Sequence, residues 1–217
     1  MNRNKPALKK QRCCELTPLE SKALGVAFKA ILESGRAPTT KKLGLSMKKS
    51  TNGIIRILNK LEDKDLLLRR KGTQEIVSIY PLSLVSTKHK IILGDGKKLF
   101  AMCAVDALGT PNMFNRNAVV ISQCELCKQK ITIQIKNGEI FTKSHPHILI
   151  WSPKREETPA AETCCPLVNF FCSNQHLREW EERKPDLSKK GHSILLEQAY
   201  PRIKECWRDY GEEIGVQ

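Results

Sequence analysis

The spacing of the apolar residues changes along this chain, and that change limits what it can fold into. Apolar residues recur every three or four positions in the first helical segment, at Leu19, Ala23, Val26, Ala27, Ala30 and Ile31. From residue 75 onwards, β-branched runs such as residues 75–80 replace this spacing. A period near 3.6 residues is typical of amphipathic helices, whereas β-branched runs indicate strands. The sequence therefore predicts an α+β fold, in which a helical domain precedes a mixed domain of short antiparallel strands and helices.

The predicted N-terminal domain has a recognisable order of elements. Capping residues and apolar spacing predict several short helices before residue 66, one of them capped by Ser46. The basic run 69–72 and the β-rich run 75–80 follow, and they are typical of the wing of a winged-helix domain. We therefore predict a basic winged-helix-like domain over residues 1–85 and a second domain over residues 86–217.

Positive charge is concentrated in the first of these domains. The chain has a formal net charge of +14, and residues 1–90 hold 20 Lys and Arg against 7 Asp and Glu. Residues 91–217 hold 17 against 16. A basic surface of this kind is typical of contact with a nucleic-acid backbone. It is equally compatible with a packing module whose lysines form a solvated face, so DNA binding is an open alternative.

The sequence shows neither a signal peptide nor a membrane span. Residues 1–12 are basic but lack the apolar run of a signal peptide, and no stretch of eighteen apolar residues occurs. We therefore predict a soluble cytoplasmic protein that does not bind membranes. In a reducing compartment, an odd number of cysteines, nine, favours free thiols over a disulfide framework. These thiols are interpreted as metal ligands, nucleophiles or small core residues.

A cysteine and an aspartate, Cys103 and Asp106, lie three residues apart in an apolar segment. The segment is predicted to form a helix that begins at residues 95–96 and ends at residues 109–111, where Gly and Pro occur. Asp106 is the only charged residue between positions 99 and 108, so burial is expected to raise its pKa and make it a usable acid near neutral pH. The alternative is structural, with Cys103 filling core space and Asp106 capping a neighbouring loop.

A vicinal pair, Cys164 and Cys165, follows further along the chain. Neighbouring side chains of an extended chain point to opposite faces, so only one of these thiols is expected to face Cys103. Thiolates bind soft metals far better than oxygen ligands do, and a carboxyl group one helical turn away can transfer a proton at the same place. The combination predicts a soft-metal thiolate site with Asp106 as its proton donor.

Another pair, Cys124 and Cys127, has the spacing of half a zinc knuckle, which makes a structural zinc ion a candidate. A closed structural site needs four ligands. The candidates for the missing two are His145 with His147 and Cys13 with Cys14. The alternative is a turn between two strands that holds two thiols and no metal. Cys172 and His176 have no identifiable partner in the sequence and are predicted to serve packing.

Three separated motifs resemble those of the bacterial organomercurial (alkylmercury) lyases, in the same order. They are residues 99–108 with Cys103 and Asp106, residues 119–124, and Cys164 and Cys165 followed by residues 169–171 and Trp180. The resemblance covers residues 91–207. More loosely, the N-terminal helices resemble the winged-helix-like module of the same family.

The resemblance implies an enzyme that cleaves a carbon–mercury bond by protonolysis. Cys103 and Cys164 match the two catalytic cysteines, and Asp106 matches the acid. Cys124 matches a structural cysteine, and Cys165 matches the noncatalytic member of the vicinal pair. The implied substrate is a small organometallic compound, and the implied acceptors of the released metal are low-molecular-weight thiols or a mercuric reductase. No cofactor is implied, because the substrate metal is itself the electrophile.

Three departures from the family leave other functions open: the added thiol of Cys127, a rigid proline after the vicinal pair, and the basic N-terminal part. A metal-responsive DNA-binding regulator would use Cys103, Cys164 and Cys165 as metal ligands and its winged helix to read DNA. A metal-binding carrier on the same fold would hand the metal on without cleaving a bond. An enzyme needs Asp106 to deliver the proton that releases the hydrocarbon, whereas a sensor or a carrier only binds the metal. Hydrocarbon release therefore separates these classes.

Overall fold

The computed structural model describes residues 16–154 and 160–217. The helices are α1 (Pro18–Ser34), α2 (Thr40–Met47), α3 (Thr51–Asp63), α4 (Ala104–Met113), α5 (Ala160–Thr163), α6 (Asn174–Arg183), α7 (Pro185–Ser188) and α8 (Leu196–Glu213). The strands are β1 (Leu67–Arg69), β2 (Ile76–Ile79), β3 (Leu82–Ser83), β4 (Lys90–Leu93), β5 (Lys98–Ala101), β6 (Ala118–Gln123), β7 (Lys130–Lys136), β8 (Glu139–Lys143), β9 (Leu149–Pro153), β10 (Asn169–Phe171) and β11 (Gly191–Leu195). A 3-10 turn, Cys165–Leu167, lies between α5 and β10. Within the described ranges, no helix combines the length and the apolar character that a membrane span requires.

Three helices and a β-hairpin open the described chain, in the predicted order. Helix α1 begins at a capping box, in which the Thr17 hydroxyl accepts from the Glu20 N–H and the Glu20 carboxylate accepts from the Thr17 N–H. Helix α3 is capped by Ser50 rather than by Ser46, which lies inside α2. The antiparallel hairpin of β1 and β2 follows. The assignment of this part as a winged helix stays a prediction.

One eight-stranded antiparallel sheet runs across the predicted domain boundary. Its strand order is β1-β2-β3-β5-β4-β6-β7-β8, and β3 joins the hairpin to the later strands by pairing Leu82 with Ala101. Phe28 of α1 also packs edge to face on Phe114, just after α4, with ring centroids 5.7 Å apart. The helical part and the mixed part thus share one hydrophobic core, and a division after residue 85 stays a prediction.

The prediction of a helix over residues 95–103 is wrong, because these residues contain the turn and the second strand of the hairpin formed by β4 and β5. Gly96 takes the left-handed region, at φ +83°, in the turn that joins β4 to β5. In β5, Leu99 and Ala101 are buried at alternate positions, which is the period of a strand. The tight turn and this alternation account for the strand, so that α4 begins only after Cys103.

Helix α4 also continues through Gly109 and Pro111, where the sequence predicts its end. Packing explains the glycine, because a Cβ atom at position 109 would lie 1.7 Å from Cδ1 of Trp207 in α8. The missing side chain lets α4 and α8 approach closely. This glycine therefore serves a contact between helices rather than a helix end.

Gly109→Ala should lower the free energy of unfolding by about 1–3 kcal/mol, because the added methyl group overpacks the contact with Trp207. Gly53→Ala is the matched control, since Gly53 lies in α3 and its nearest neighbour to an added Cβ is the Ser50 hydroxyl at 3.4 Å. Helix propensity should make this control neutral or stabilising by up to about 1 kcal/mol. Urea unfolding followed by circular dichroism measures both variants. Equal stability of the two would contradict the packing argument.

A second sheet, with the antiparallel order β10-β9-β11, meets the large sheet where β6 ends. There Cys124 forms a parallel bridge with Phe170, and the Glu125 N–H donates to the Phe170 carbonyl at 2.8 Å. The start of α4 is tied to the same region, because the Ala104 N–H donates to the Val168 carbonyl at 3.1 Å. This junction brings together cysteines that are far apart in the sequence.

Candidate thiol and carboxylate site

Cys103 caps helix α4 and holds its sulfur at the N-terminus of that helix. Its backbone is extended, and its Sγ accepts from the Asp106 N–H at 3.3 Å. A side chain at this position satisfies one of the free amides of the first turn, and the helix dipole favours negative charge on the sulfur. The three-residue spacing of Cys103 and Asp106 is therefore the spacing of a cap and the residue that it contacts.

Asp106 and Cys165 complete a buried cluster around Cys103. The two sulfurs and one carboxylate oxygen of Asp106 all lie within 4.8 Å of one another. Asp106 is 0% exposed, Cys103 4% and Cys165 5%. The structure thus brings the helix pair together with one member of the vicinal pair. Two thiols that bind soft metals and an acid within reach are the groups expected for the predicted site.

The vicinal cysteine in this cluster is Cys165, whereas the resemblance gives that position to Cys164. Cys164 is buried as well, but its Sγ lies 3.7 Å from the carbonyl oxygen of Ala160, at the start of α5. The chain is not extended here, because Cys164 has helical backbone angles and Cys165 opens the 3-10 turn. Side chains of successive residues are then about 100° apart rather than on opposite faces. The alternation of side chains in an extended strand therefore does not apply here and cannot show which of the two thiols faces Cys103.

The two thiols of the cluster are hydrogen-bonded to each other. Burial raises the pKa of Cys103 to about 11, although the Cys165 thiol acts in the opposite direction by donating to the Cys103 sulfur. The same hydrogen bond is the main reason why the pKa of Cys165 lies far above its ordinary value. Cys103 is therefore the thiol that ionises first, and a cation that binds both sulfurs must displace the proton of Cys165.

A mostly apolar cavity of about 350 Å³ lies next to the cluster. Its wall includes Met102 and Pro166, the chain neighbours of Cys103 and Cys165. His89 also borders the cavity, and burial lowers its pKa to about 3, so that the imidazole is neutral at physiological pH. The cavity can therefore accept a small uncharged group beside the two sulfurs.

Cys124 and Cys127 belong to a second cluster, together with Cys172 and His176. One ligand atom of each residue lies within 4.8 Å of those of the other three. The prediction that Cys172 and His176 only serve packing is incomplete, because the first turn of α6, capped by Ser173, carries His176 Nδ1 to 2.9 Å from Cys172 Sγ. The Cys-x3-His spacing of this pair is the sequence signal that points to it.

The other candidates for a second pair of zinc ligands do not join this cluster. His145 lies on an exposed segment after β8, where its Nδ1 is 2.8 Å from the Ser144 hydroxyl. His147 lies on the same exposed segment. Cys13 and Cys14 are outside the described residues.

Comparisons with known proteins relate the chain to mercury chemistry. The family model described as MerB, alkylmercury lyase, matches residues 82–206. The alkylmercury lyase of Staphylococcus epidermidis is 26% identical over 110 residues, which are 50% of this chain and 50% of that protein. The alkylmercury lyase of Bacillus cereus is 25% identical over 120 residues, or 55% of this chain and 53% of that protein. The chain thus spans about half the length of the curated relatives it matches.

A solved structure matches nearly the whole chain. It is the mercury-bound form of MerB2, with a TM-score of 0.78 and 25% sequence identity, and the match covers 92% of this chain and 95% of that one. The predicted α+β fold is confirmed by this likeness. The matched region of the family model includes both the cluster around Cys103 and the cluster around Cys124.

Proposed function

The chain belongs to the alkylmercury lyase family, and on that premise we propose that it cleaves the carbon–mercury bond of small organomercurials by protonolysis. The observation that carries the proposal is the buried cluster of Cys103, Asp106 and Cys165 beside a mostly apolar cavity. Two sulfurs supply the affinity for a soft metal, and the carboxyl group supplies the proton that the leaving carbon needs.

The proposed reaction begins at Cys103. A sulfur–mercury bond forms between this thiol and the organomercury cation, and the proton of Cys103 leaves together with the anion that the cation carried in solution. The Cys165 thiol then passes its proton to the Asp106 carboxylate and binds the mercury through its own sulfur. The protonated Asp106 delivers that proton to the carbon, which takes both electrons of the carbon–mercury bond and leaves as a hydrocarbon. A mercuric ion stays on two thiolates, and Asp106 is again a carboxylate.

The geometry supports Cys165 as the second metal thiolate. Its sulfur is hydrogen-bonded to that of Cys103 and lies within 4.8 Å of the Asp106 carboxylate, so a proton has a short path from sulfur to oxygen. Cys164 contacts the carbonyl of Ala160 and the Cys165 thiol, and its sulfur is not among the ligand atoms grouped around Cys103 and Asp106. We therefore assign to Cys164 a supporting position in the turn, and not the catalytic role that the resemblance gives it.

The cavity next to the cluster is proposed to hold the organic group. Its lining is mostly apolar and the imidazole of His89 is neutral, while the ammonium group of Lys88, which also lines the cavity, is paired with Glu125. An alkyl or aryl group bound there loses contact with water, which favours its burial by roughly 25 cal/mol per Å² of apolar surface. The bond to mercury would then point from the cavity towards Cys103 and Cys165, whose chain neighbours Met102 and Pro166 line it.

The product mercury must leave by exchange with other thiols, because a mercuric ion held by two thiolates does not dissociate readily. Low-molecular-weight thiols, or a mercuric reductase, are the proposed acceptors. The reducing cytoplasm is the proposed setting, since it keeps Cys103 and Cys165 reduced and supplies those thiols. No cofactor is required in this scheme, because the mercury of the substrate is the electrophile.

Hydrocarbon release tests the function directly. The purified protein is given methylmercury or phenylmercury with an excess of a small thiol, and methane or benzene is measured by gas chromatography. We expect many turnovers per chain, and none with Cys103→Ser, because oxygen does not replace thiolate on a soft metal. Cys206→Ser is the control, since Cys206 lies half-buried in α8, outside both clusters. Stoichiometric mercury binding without hydrocarbon would overturn the lyase and favour a sensor or a carrier.

The metal-responsive DNA-binding regulator is the second candidate, because of the basic N-terminal part. One observation counts against it. At the tip of the hairpin that would form the wing, Arg69 is paired with Glu62 and Arg70 with Glu75. Guanidinium groups that are already paired within the chain are less available to DNA phosphates. We therefore place the lyase first and expect any DNA affinity to be weak and salt-dependent.

A further inference from the structure

We propose that Cys124, Cys127, Cys172 and His176 form a structural zinc site that joins the two sheets. This site is separate from the cluster of Cys103, Asp106 and Cys165. The proposal does not depend on the lyase activity, because it concerns a metal that the protein would hold before it meets any substrate.

The distances within the cluster approach those of a tetrahedral zinc site. With zinc–sulfur bonds of about 2.3 Å and zinc–nitrogen bonds of about 2.0–2.1 Å, two sulfurs lie about 3.8 Å apart and a sulfur and a nitrogen about 3.6 Å apart. Here Cys127 Sγ is 3.7 Å from Cys172 Sγ, and Cys124 Sγ is 3.9 Å from His176 Nδ1. Of these three distances, the 2.9 Å between Cys172 Sγ and His176 Nδ1 must lengthen when zinc binds.

The four ligands come from two short segments with well-defined backbones. Cys124 and Cys127 lie in a turn after β6, in which the Lys128 N–H donates to the Cys124 carbonyl at 3.1 Å and Lys128 has a φ of +60°. Cys172 and His176 lie at the turn from β10 into α6. The bridge of Cys124 to Phe170 holds these segments side by side. Two ligands from each of two segments are typical of structural zinc sites.

Backbone amides prepare the buried sulfur of Cys124 for a cation. Its sulfur accepts hydrogen bonds from the backbone N–H groups of Cys127, Cys172 and Leu126. Amides that point at a sulfur stabilise the thiolate, which is the form that binds metal. These contacts are fixed by the fold and need no rearrangement when an ion binds.

A disulfide or a catalytic metal centre would fit the cluster less well than a structural zinc ion. The sulfurs of Cys127 and Cys172 are 3.7 Å apart and are not bonded to each other. A disulfide would also leave Cys124 and His176 unused. A catalytic metal site keeps one position open, whereas three sulfurs and one imidazole nitrogen already complete a tetrahedron. The donor set therefore indicates a closed zinc site with a structural role.

The position of the cluster suggests what the metal stabilises. It connects the end of β6, in the large sheet, with the end of β10, in the small one. Strand β10 follows directly on the turn that carries Cys165. A zinc ion here would therefore fix the part of the chain that places Cys165 opposite Cys103.

Metal analysis of the protein as purified, without added zinc and before any contact with mercury, tests the proposal. We expect about one zinc ion per chain by inductively coupled plasma mass spectrometry. Cys172→Ser and His176→Asn should lower the zinc content to background. Cys165→Ser and Cys206→Ser should keep it, because these thiols lie outside the cluster. Loss of zinc in Cys165→Ser together with retention in Cys172→Ser would overturn the assignment.

Cobalt substitution covers the case in which the ligand variants do not fold. The parent protein is stripped with a chelator and titrated with Co²⁺, and tetrahedral thiolate coordination is recognised by intense visible bands and a sulfur-to-cobalt charge-transfer band. We expect saturation at about one Co²⁺ per chain, reversal by zinc, and a melting temperature that falls on metal removal and recovers on reloading. Absence of zinc in the purified protein, together with no cobalt bands, would refute the site.

Discussion

Cys165→Ser should lower hydrocarbon release from methylmercury by at least about a hundredfold. Substitutions of residues that only support a metal ligand cost up to about a hundredfold, and this substitution removes a ligand itself. The reason is that Cys165 is the vicinal cysteine whose sulfur lies within 4.8 Å of both Cys103 Sγ and the Asp106 carboxylate. A hydroxyl at this position cannot join thiolate Cys103 on a soft metal, so the carbon–mercury bond is not weakened.

Cys164→Ser is the matched control and should keep most of the turnover of the parent. The two thiols are adjacent, buried to a similar degree and changed by the same single atom, so general damage to the turn affects both variants. Both are compared by gas chromatography under single-turnover conditions, with melting temperatures measured in parallel. If Cys164→Ser loses turnover and Cys165→Ser keeps it, the assignment from the resemblance is right and the turn must rearrange when mercury binds.

The sequence predicts that Cys103 and Asp106 lie close together, because that contact is local. A cysteine three residues before an aspartate needs only a helix N-terminus to bring the thiol and the Asp106 amide together, and α4 provides it. The choice between Cys164 and Cys165 is not local. It depends on whether the chain before β10 is extended or helical, and the short apolar run after these residues is compatible with both.

The second cluster could not be assembled from spacing alone. Cys124 and Cys127 indicate half a zinc site, but their partners Cys172 and His176 are brought to them by the junction of two sheets. The spacing of apolar residues in the sequence does not predict that β6 and β10 end side by side. The pairing could only be guessed, and the guessed histidines, His145 and His147, lie on an exposed segment.

The error at residues 95–103 has a different origin. An apolar run that ends at a glycine and a proline is typical of a helix, but Gly109 is buried against Trp207 and the first half of the run forms β5. Packing against Trp207 explains why α4 continues past Gly109, whereas the β-hairpin of β4 and β5 explains its late start. The local rules for caps hold at the start of α1, where the capping box of Thr17 and Glu20 is present as the sequence predicts.

Asp106→Asn should still bind the organomercurial but release hydrocarbon at least about a hundredfold more slowly, which corresponds to about 2.7 kcal/mol of activation free energy. Both sulfurs of the cluster remain in this variant, so capture of the metal needs no carboxylate. The amide has nearly the same shape as the carboxyl group, but it cannot take the proton of Cys165 and deliver it to carbon. The separation of binding from cleavage is what distinguishes an acid from a metal ligand.

The measurement is a single-turnover experiment with phenylmercury, in which benzene is followed by gas chromatography and bound mercury by mass spectrometry after desalting. Asp95→Asn is the control, because Asp95 lies in an exposed turn and pairs with Arg116, away from the cluster. It should match the parent in both readouts. Equal benzene release by Asp106→Asn and the parent would exclude Asp106 as the proton donor. Loss of mercury binding in Asp106→Asn would instead make the carboxylate part of the metal site, and the proton would then have to come directly from the thiol of Cys165.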